Sequence, residues 1–118
     1  MEFVTGTGIG ESGVGVNLVS CSGNLDLETV DEFKHQVLPF LVVDAPTLII
    51  DLTEVGFMDS TGLGGLITAL KRARQAEIEL ELVVNSERTE RVGQLLALTG
   101  VDILFPTYES QQLALESN

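Results

Sequence analysis

The chain has 118 residues, 44% of them hydrophobic and 5% aromatic, with 18 acidic against 6 basic side chains and a formal net charge of −12. That length makes one domain, residues 1–118, with apolar content for a Leu, Val and Ile core. The acidity argues against direct contact with nucleic acid, which requires a basic stripe, and suits a basic protein partner better.

Taken in order, Glu2 to Gly8 and Val14 to Cys21 read as strands, with Val14, Val16 and Leu18 alternating. The turn cluster Gly10-Glu11-Ser12-Gly13 predicts that they pair as a hairpin, with the glycine-containing first strand at an edge. Thr29-Val30-Asp31-Glu32 fits a capping box ahead of a helix whose buried face carries Val30, Phe33, Val37 and Leu41. Pro39 would clash with the carbonyl of His35, so a kink or break is expected there, and Asp44-Ala45-Pro46 ends the element. Thr47 to Leu52 is apolar on both faces until Asp51, as in a parallel strand covered by helices.

A helix should begin at Ser60 and run to about Ala76, with Leu63, Leu66, Ile67, Leu70 and Ala73 at helical spacing. Ile78 to Val84 is the next strand, with Glu79 and Glu81 on its more exposed face. Ser86 or Glu87 opens a helix carrying Val92, Leu95, Leu96 and Thr99, and Gly100 stops it. A short strand from Ile103 to Phe105, closed by Pro106, precedes a terminal helix from Glu109 to Glu116 docked by Leu113 and Leu115. The last residues, Glu116-Ser117-Asn118, are expected to fray. Strands alternating with helices after the hairpin imply an α/β fold with a mainly parallel sheet.

One stretch concentrates the unusual residues: Asp59-Ser60-Thr61-Gly62-Leu63-Gly64-Gly65. Ser60 stands where a helix cap belongs, and a cap alone contributes about 1 kcal/mol. Each glycine costs a helix roughly 1 kcal/mol against Ala. One reason for glycines in a first turn is to open the backbone to another molecule. A nucleotide loop fails, because Gly65 is followed by Leu66-Ile67-Thr68 and not by Lys and a hydroxyl residue; the dinucleotide spacing fails as well. A hydrolase with Ser60 as nucleophile lacks an oriented base, since His35 is the sole histidine and no Gly-x-Ser-x-Gly elbow is present. An aspartate-phosphorylated receiver built on Asp51 lacks the early acidic pair at Gly15-Val16-Asn17 and the lysine near Val84-Asn85-Ser86. Cys21 is the sole cysteine and reads as a small buried hydrophobe; no zinc set and no intrachain disulfide can form from it. Lys71, Arg72 and Arg74 read as a solvated helix face. No signal peptide opens the chain, and no apolar run approaches the roughly 20 residues that span a bilayer. The expectation is a soluble cytoplasmic protein, not an enzyme, with no cofactor and no metal.

Asp59-Ser60-Thr61-Gly62-Leu63-Gly64 after a strand resembles the phosphorylation-site loop of STAS domains, the anti-sigma factor antagonists. Ser22-Gly23-Asn24-Leu25-Asp26 resembles the family's early Gly-x-Leu-Asp signature. Lys71-Arg72-Ala73-Arg74 with Leu80-Glu81-Leu82-Val83 resembles its middle, and Leu98-Thr99-Gly100-Val101 with Leu104-Phe105-Pro106 its end. The match spans nearly the whole chain in order. It implies a STAS-type single α/β domain: a mainly parallel mixed sheet with an N-terminal hairpin, packed with about four helices.

The resemblance also implies a phosphorylated Ser60, with Thr61 the competing acceptor, and a partner-binding surface of Asn24, Asp26, Asp59, Ser60, Thr61, Gly62, Leu63 and Gly64. Asp59 would position Ser60, hold a metal brought by the kinase or accept the hydroxyl proton, against the plain reading of a solvated loop carboxylate. Asp26 would border the same surface, against the plain reading of a turn or helix cap. The implied partners are an anti-sigma factor serine kinase, bound while Ser60 is free so that the sigma factor is released, and a protein phosphatase that resets the switch. No direct nucleic acid and no membrane are implied. The alternative keeps the fold and changes the partner: a STAS module of a stress-signalling assembly or a lipid-transport system, without sigma factor control.

Overall fold

The computed structural model describes residues 1–42, 45–85, 87 and 89–118. Its five-stranded sheet has the order β1-β2-β3-β4-β5, from Glu2–Ile9, Gly15–Leu25, Thr47–Met58, Glu79–Val83 and Thr107–Tyr108. β1 is antiparallel to β2 and lies at the edge, and the other neighbouring pairs are parallel. The helices are α1 (Val30–Val37), α2 (Ser60–Gln75), α3 (Glu90–Thr99), the single turn α4 (Val101–Leu104) and α5 (Gln111–Glu116). The hairpin and the α/β alternation are as the sequence implies.

β3 is the spine. Leu48, Ile50 and Leu52 face a layer that holds Phe33 of α1, Leu66 of α2 and Leu96 of α3. Ile49 faces the other way, onto a smaller cluster with Val16, Val83 and Ala114 of α5. Both faces are covered, which is why the strand reads as an unbroken apolar run. β2 and β3 extend past their expected ends at Cys21 and Leu52, pairing as far as Leu25 and Met58. Register shifts between Ser20 and Ser22 and between Gly23 and Asn24 break the alternation that would have revealed this. α1 stops at Val37 and tightens into a 3-10 turn over Leu38–Val42, the break that Pro39 requires.

Several expectations are corrected. Thr29 precedes α1, but its side chain makes no cap bond. Its hydroxyl instead donates to the Asn24 carbonyl (2.7 Å) and accepts the Asp26 N–H (3.0 Å), so no capping box forms with Glu32. α3 starts at Glu90, later than Ser86 or Glu87; Ser86, like Asp44 of the expected Asp44-Ala45-Pro46 terminator, lies outside the described residues. Gly100 ends α3 in the left-handed region (φ 75°), but a further helical turn follows it where a strand was expected. Within that turn only Val101 is buried. The strand comes after Pro106, whose carbonyl already accepts the Leu82 N–H (2.9 Å).

α5 docks through Ala114 and half-buried Leu115, and Leu113 is exposed. Because α5 covers that face of β4, Glu81 is buried, not exposed. Asn118, expected to fray, is buried too. Its Nδ2 donates to Glu81 Oε1 and to the Ala114 carbonyl (both 2.8 Å), its Oδ1 accepts from Thr47 Oγ1 (2.9 Å), and its carbonyl accepts the Val14 N–H (2.9 Å). Burial pushes the Glu81 carboxyl above the usual glutamate range; the Asn118 bond opposes this, and the Glu79 charge adds to it.

Glycine lets α2 approach the sheet. A Cβ at Gly62 would fall on the carbonyl oxygen of Leu25, and one at Gly65 would stand 2.8 Å from Cγ2 of Val30 on α1. At Gly64 a Cβ would meet nothing within 4 Å. Two of the glycines therefore answer to packing inside the domain, and only Gly64 leaves backbone open to solvent.

Three stability outcomes follow. Leu66, fully buried on α2, should not tolerate Asp: an unpaired buried carboxylate costs several kcal/mol, so Leu66→Asp should be unfolded by circular dichroism. Gly62→Ala should destabilise by more than 2 kcal/mol as judged by urea unfolding, whereas Gly64→Ala should stabilise by up to about 1 kcal/mol. Glu81→Gln keeps an acceptor for Asn118 and loses the charge. Because the folded Glu81 value is raised, the stability it contributes is present below the unfolded value and lost as pH rises through the folded one. The variant should match wild type near roughly pH 4, close to the ordinary glutamate value, and melt higher at neutral pH. A constant difference in melting temperature across that range would contradict this.

Candidate functional site

The loop from β3 into α2 is set by its pairing with β2. Asn24 lies beside Phe57 and Leu25 beside Met58, and the Asp59 N–H donates to the Leu25 carbonyl (3.3 Å). Asp59 is thereby held extended (φ −103°, ψ −175°), and its Oδ1 accepts the Gly62 N–H (2.9 Å). Asp59 is the N-cap of α2, and Ser60, expected in that role, is the first residue of the helix. The ladder reaches Met58, well past the expected strand end at Leu52, so the Asp59 carboxylate arrives at the cap position. Ser60 is left exposed, and its hydroxyl is bonded to none of the described residues. The N–H groups of Ser60 and Thr61 belong to the first turn and have no intrahelical acceptor.

The second wall comes from the turn after β2. Asp26 Oδ1 accepts the Glu28 N–H (3.0 Å), and Thr29 closes the turn through its bonds to Asn24 and Asp26. Asp26 thus does the work of a turn residue, at the border of the loop. It follows Leu25 as Asp59 follows Met58, so both carboxylates stand at the C-terminal ends of neighbouring parallel strands. Ligand contacts gather at such ends in open α/β sheets.

Of the expected surface, Asn24 and Ser60 are exposed, and Asp26, Asp59, Thr61 and Gly64 are half-buried. Leu63 is buried in the core and Gly62 is buried against Leu25, so these two shape the loop from beneath. Two residues escaped the sequence reading: Leu27, 73% exposed in the turn, and Phe57, 43% exposed beside Asn24. An apolar residue inside an otherwise polar turn was the available signal for Leu27; the bulges in β3 concealed which way Phe57 points.

The remaining candidates lie elsewhere. Lys71, Arg72 and Arg74 are exposed toward the far end of α2, about 16 to 21 Å along the helix from Ser60 at 1.5 Å per residue. There they complement the negative end of the helix dipole. His35 is exposed on α1. Asp51 is buried and tied inward: Oδ1 accepts from Thr53 N–H (2.8 Å) and Oγ1 (2.7 Å), and Oδ2 from Gln111 Nε2 (2.6 Å). It anchors α5 to the spine. Among the described residues no group of three or more His, Cys, Asp or Glu could hold a metal ion, and no helix is long and apolar enough to cross a membrane. The arrangement is an exposed hydroxyl at a helix start, directly after the capping Asp59, with Asp26 at the end of the neighbouring strand and exposed Phe57 in β3. That suits a surface read by another protein.

Comparison with known proteins shows the family. The model of the STAS domain family matches residues 11–114. The anti-sigma-B factor antagonist of Listeria monocytogenes is 38% identical over 80 residues, covering 68% of this chain and 70% of that protein. That of Staphylococcus aureus is 32% identical over 95 residues, covering 80% and 85%. The crystal structure of an anti-sigma factor antagonist from Mycobacterium paratuberculosis superposes with a TM-score of 0.78 at 28% identity, over 98% of this chain and 93% of that one. With most of its length matched by the family model, and with a loop, a sheet and relatives that agree, the chain belongs to the STAS domain family.

Proposed function

We propose that the chain is an anti-sigma factor antagonist switched at Ser60. With Ser60 free it binds a kinase-type anti-sigma factor, and the sigma factor is released. Phosphate transferred to Ser60 by that kinase ends the binding, and a phosphatase restores it. The observation that carries this reading is the exposed Ser60 hydroxyl, bonded to none of the described residues, next to the capping Asp59 at the start of α2. The names of the Listeria and Staphylococcus relatives support the antagonist role. Asn24, Asp26, Asp59, Thr61 and Gly64 form the surrounding contact surface, and Leu27 and Phe57 supply its apolar area. Catalysis is left to the kinase. The chain acts as a cytoplasmic binding protein.

The sign of the switch follows from competing terms. A phosphate adds about −1.5 to −2 charges. The helix N-terminus favours an anion by about 0.3–1 kcal/mol. Against this, the Asp59 carboxylate already occupies the Gly62 N–H, and Asp26 borders the same surface. Enclosing a dianion there between two proteins costs several kcal/mol of desolvation. The second effect is larger and acts only in the complex. Phosphate should therefore weaken binding far more than it disturbs the fold.

Variants separate the roles. Ser60→Ala removes no cap, so it should keep wild-type stability within about 0.5 kcal/mol, bind the anti-sigma factor and accept no phosphate. Asp59→Ala should lose about 1 kcal/mol, because Asp59 is the cap. Ser60→Asp should fold and bind weakly, and Thr61→Ala should be phosphorylated like wild type. The measurements are intact mass after incubation with the cognate kinase and ATP, then affinity for each variant. Phosphate gained by Ser60→Ala would move the site. Equal affinity for wild type, phosphorylated wild type and Ser60→Asp would sink the switch.

A further inference from the structure

β1 presents an unpaired edge over its whole length, Glu2–Ile9, with all but Phe3 exposed. Soluble proteins usually guard such an edge with charge, proline or a bulge. β1 carries one charged residue, Glu2, and pairs with β2 without a register shift. The neighbourhood is equally bare. From Glu2 to Leu25 the only ionisable acids are Glu2 and Glu11, out of 18 in the chain, and no Lys or Arg occurs. This stretch is poor in charge compared with the rest of a −12 molecule, so a second copy meets little like charge along the strand itself.

The backbone phase is defined. Gly10 N–H donates to the Val14 carbonyl, and hydrogen-bonded pairs alternate along the β1–β2 ladder. Gly8, Gly6 and Val4 therefore bond toward β2, and the backbone groups of Phe3, Thr5, Thr7 and Ile9 point outward. Gly6 and Gly8 are otherwise unexplained. Neither has a positive φ, and a Cβ at either would meet nothing within 4 Å. Glycine weakens a strand interior, and it often marks a close approach by another backbone.

We propose that β1 pairs antiparallel with β1 of a second copy of this chain, about a two-fold axis at Gly6, so that the sheet continues across the dimer. In that register Phe3 opposes Ile9 of the other copy, and Thr5 opposes Thr7. Each of these pairs exchanges two hydrogen bonds. Val4 opposes Gly8, and Gly6 meets its symmetry mate. Exposed Ile9 and Val4, at 76% and 72%, gain cover. Glu2 falls outside the paired residues. One strand pair is small against the roughly 1,200–2,000 Å² of a stable interface, so the dimer dissociates on dilution.

Sedimentation velocity over a concentration series tests this on the intact protein, with two variants. Thr5→Pro removes an outward N–H without touching a β1–β2 bond, and Thr7→Lys places charge on the edge. Wild type should pass from a 12.7 kDa monomer to a dimer as concentration rises. Each variant should raise the dissociation constant about tenfold or more while keeping the wild-type circular dichroism spectrum. Amide exchange at Phe3, Thr5, Thr7 and Ile9 of wild type should slow with concentration. A wild type that stays monomeric to submillimolar concentration, a dimer retained by both variants, or edge amides indifferent to concentration would each overturn the proposal.

Discussion

The approach of the α2 backbone to the end of β2 is the contact on which the site depends. The carbonyl of Leu25 stands where a Cβ of residue 62 would be, so only glycine lets the helix start there. The same carbonyl accepts the Asp59 N–H, which keeps Asp59 extended and aims its carboxylate at the Gly62 N–H. Two bonds and one missing side chain thus place the first helical residue outside the packed region. Ser60 is thereby left exposed, its hydroxyl bonded to none of the described residues. Under the proposed switch, a phosphate on Ser60 would meet a scaffold with little need to rearrange, so its effect would stay at the surface.

The opposite face of the sheet is held differently. Instead of a large apolar contact, α5 uses Ala114 with a set of polar tethers: Gln111 to Asp51 and Ser20, and Asn118 to Glu81 and Thr47. Buried polar groups cost free energy unless bonded, and among the described residues no buried side-chain polar atom lacks a partner. Such a network specifies one docking geometry for a six-residue helix too short to be stable alone.

Much of the fold was legible in the sequence because it rests on local patterns. The apolar run of β3, the stripe of α2, the break at Pro39 and the stop at Gly100 each come from residues within a few positions of one another. What was missed depends on distant contacts. Glu81 looked exposed by alternation, and it is buried because α5, thirty residues later, folds over it. Phe105 and Pro106 looked like the end of a strand, and the ladder with β4 begins only at Pro106. At the site, the Asp-Ser-Thr-Gly-Leu-Gly run located the helix start to within one residue. Which of Asp59 and Ser60 caps it was decided by the bond to Leu25, invisible in the loop itself. Phe57 was missed because bulges in β3 break the period that would have sorted inward from outward; Leu27 lies in the turn beyond β2, where no strand period applies.

Cys21 sits in β2, inside the layer beneath α1 and α2. Burial, with the Asp51 charge adding to it, pushes its thiol up to about 12. The thiolate is the form that reacts, and burial holds Cys21 in the neutral form at neutral pH. Oxidants and alkylating reagents therefore reach this sulfur only when the domain opens. The chain carries an internal reporter of its own opening, placed under the helix that presents Ser60.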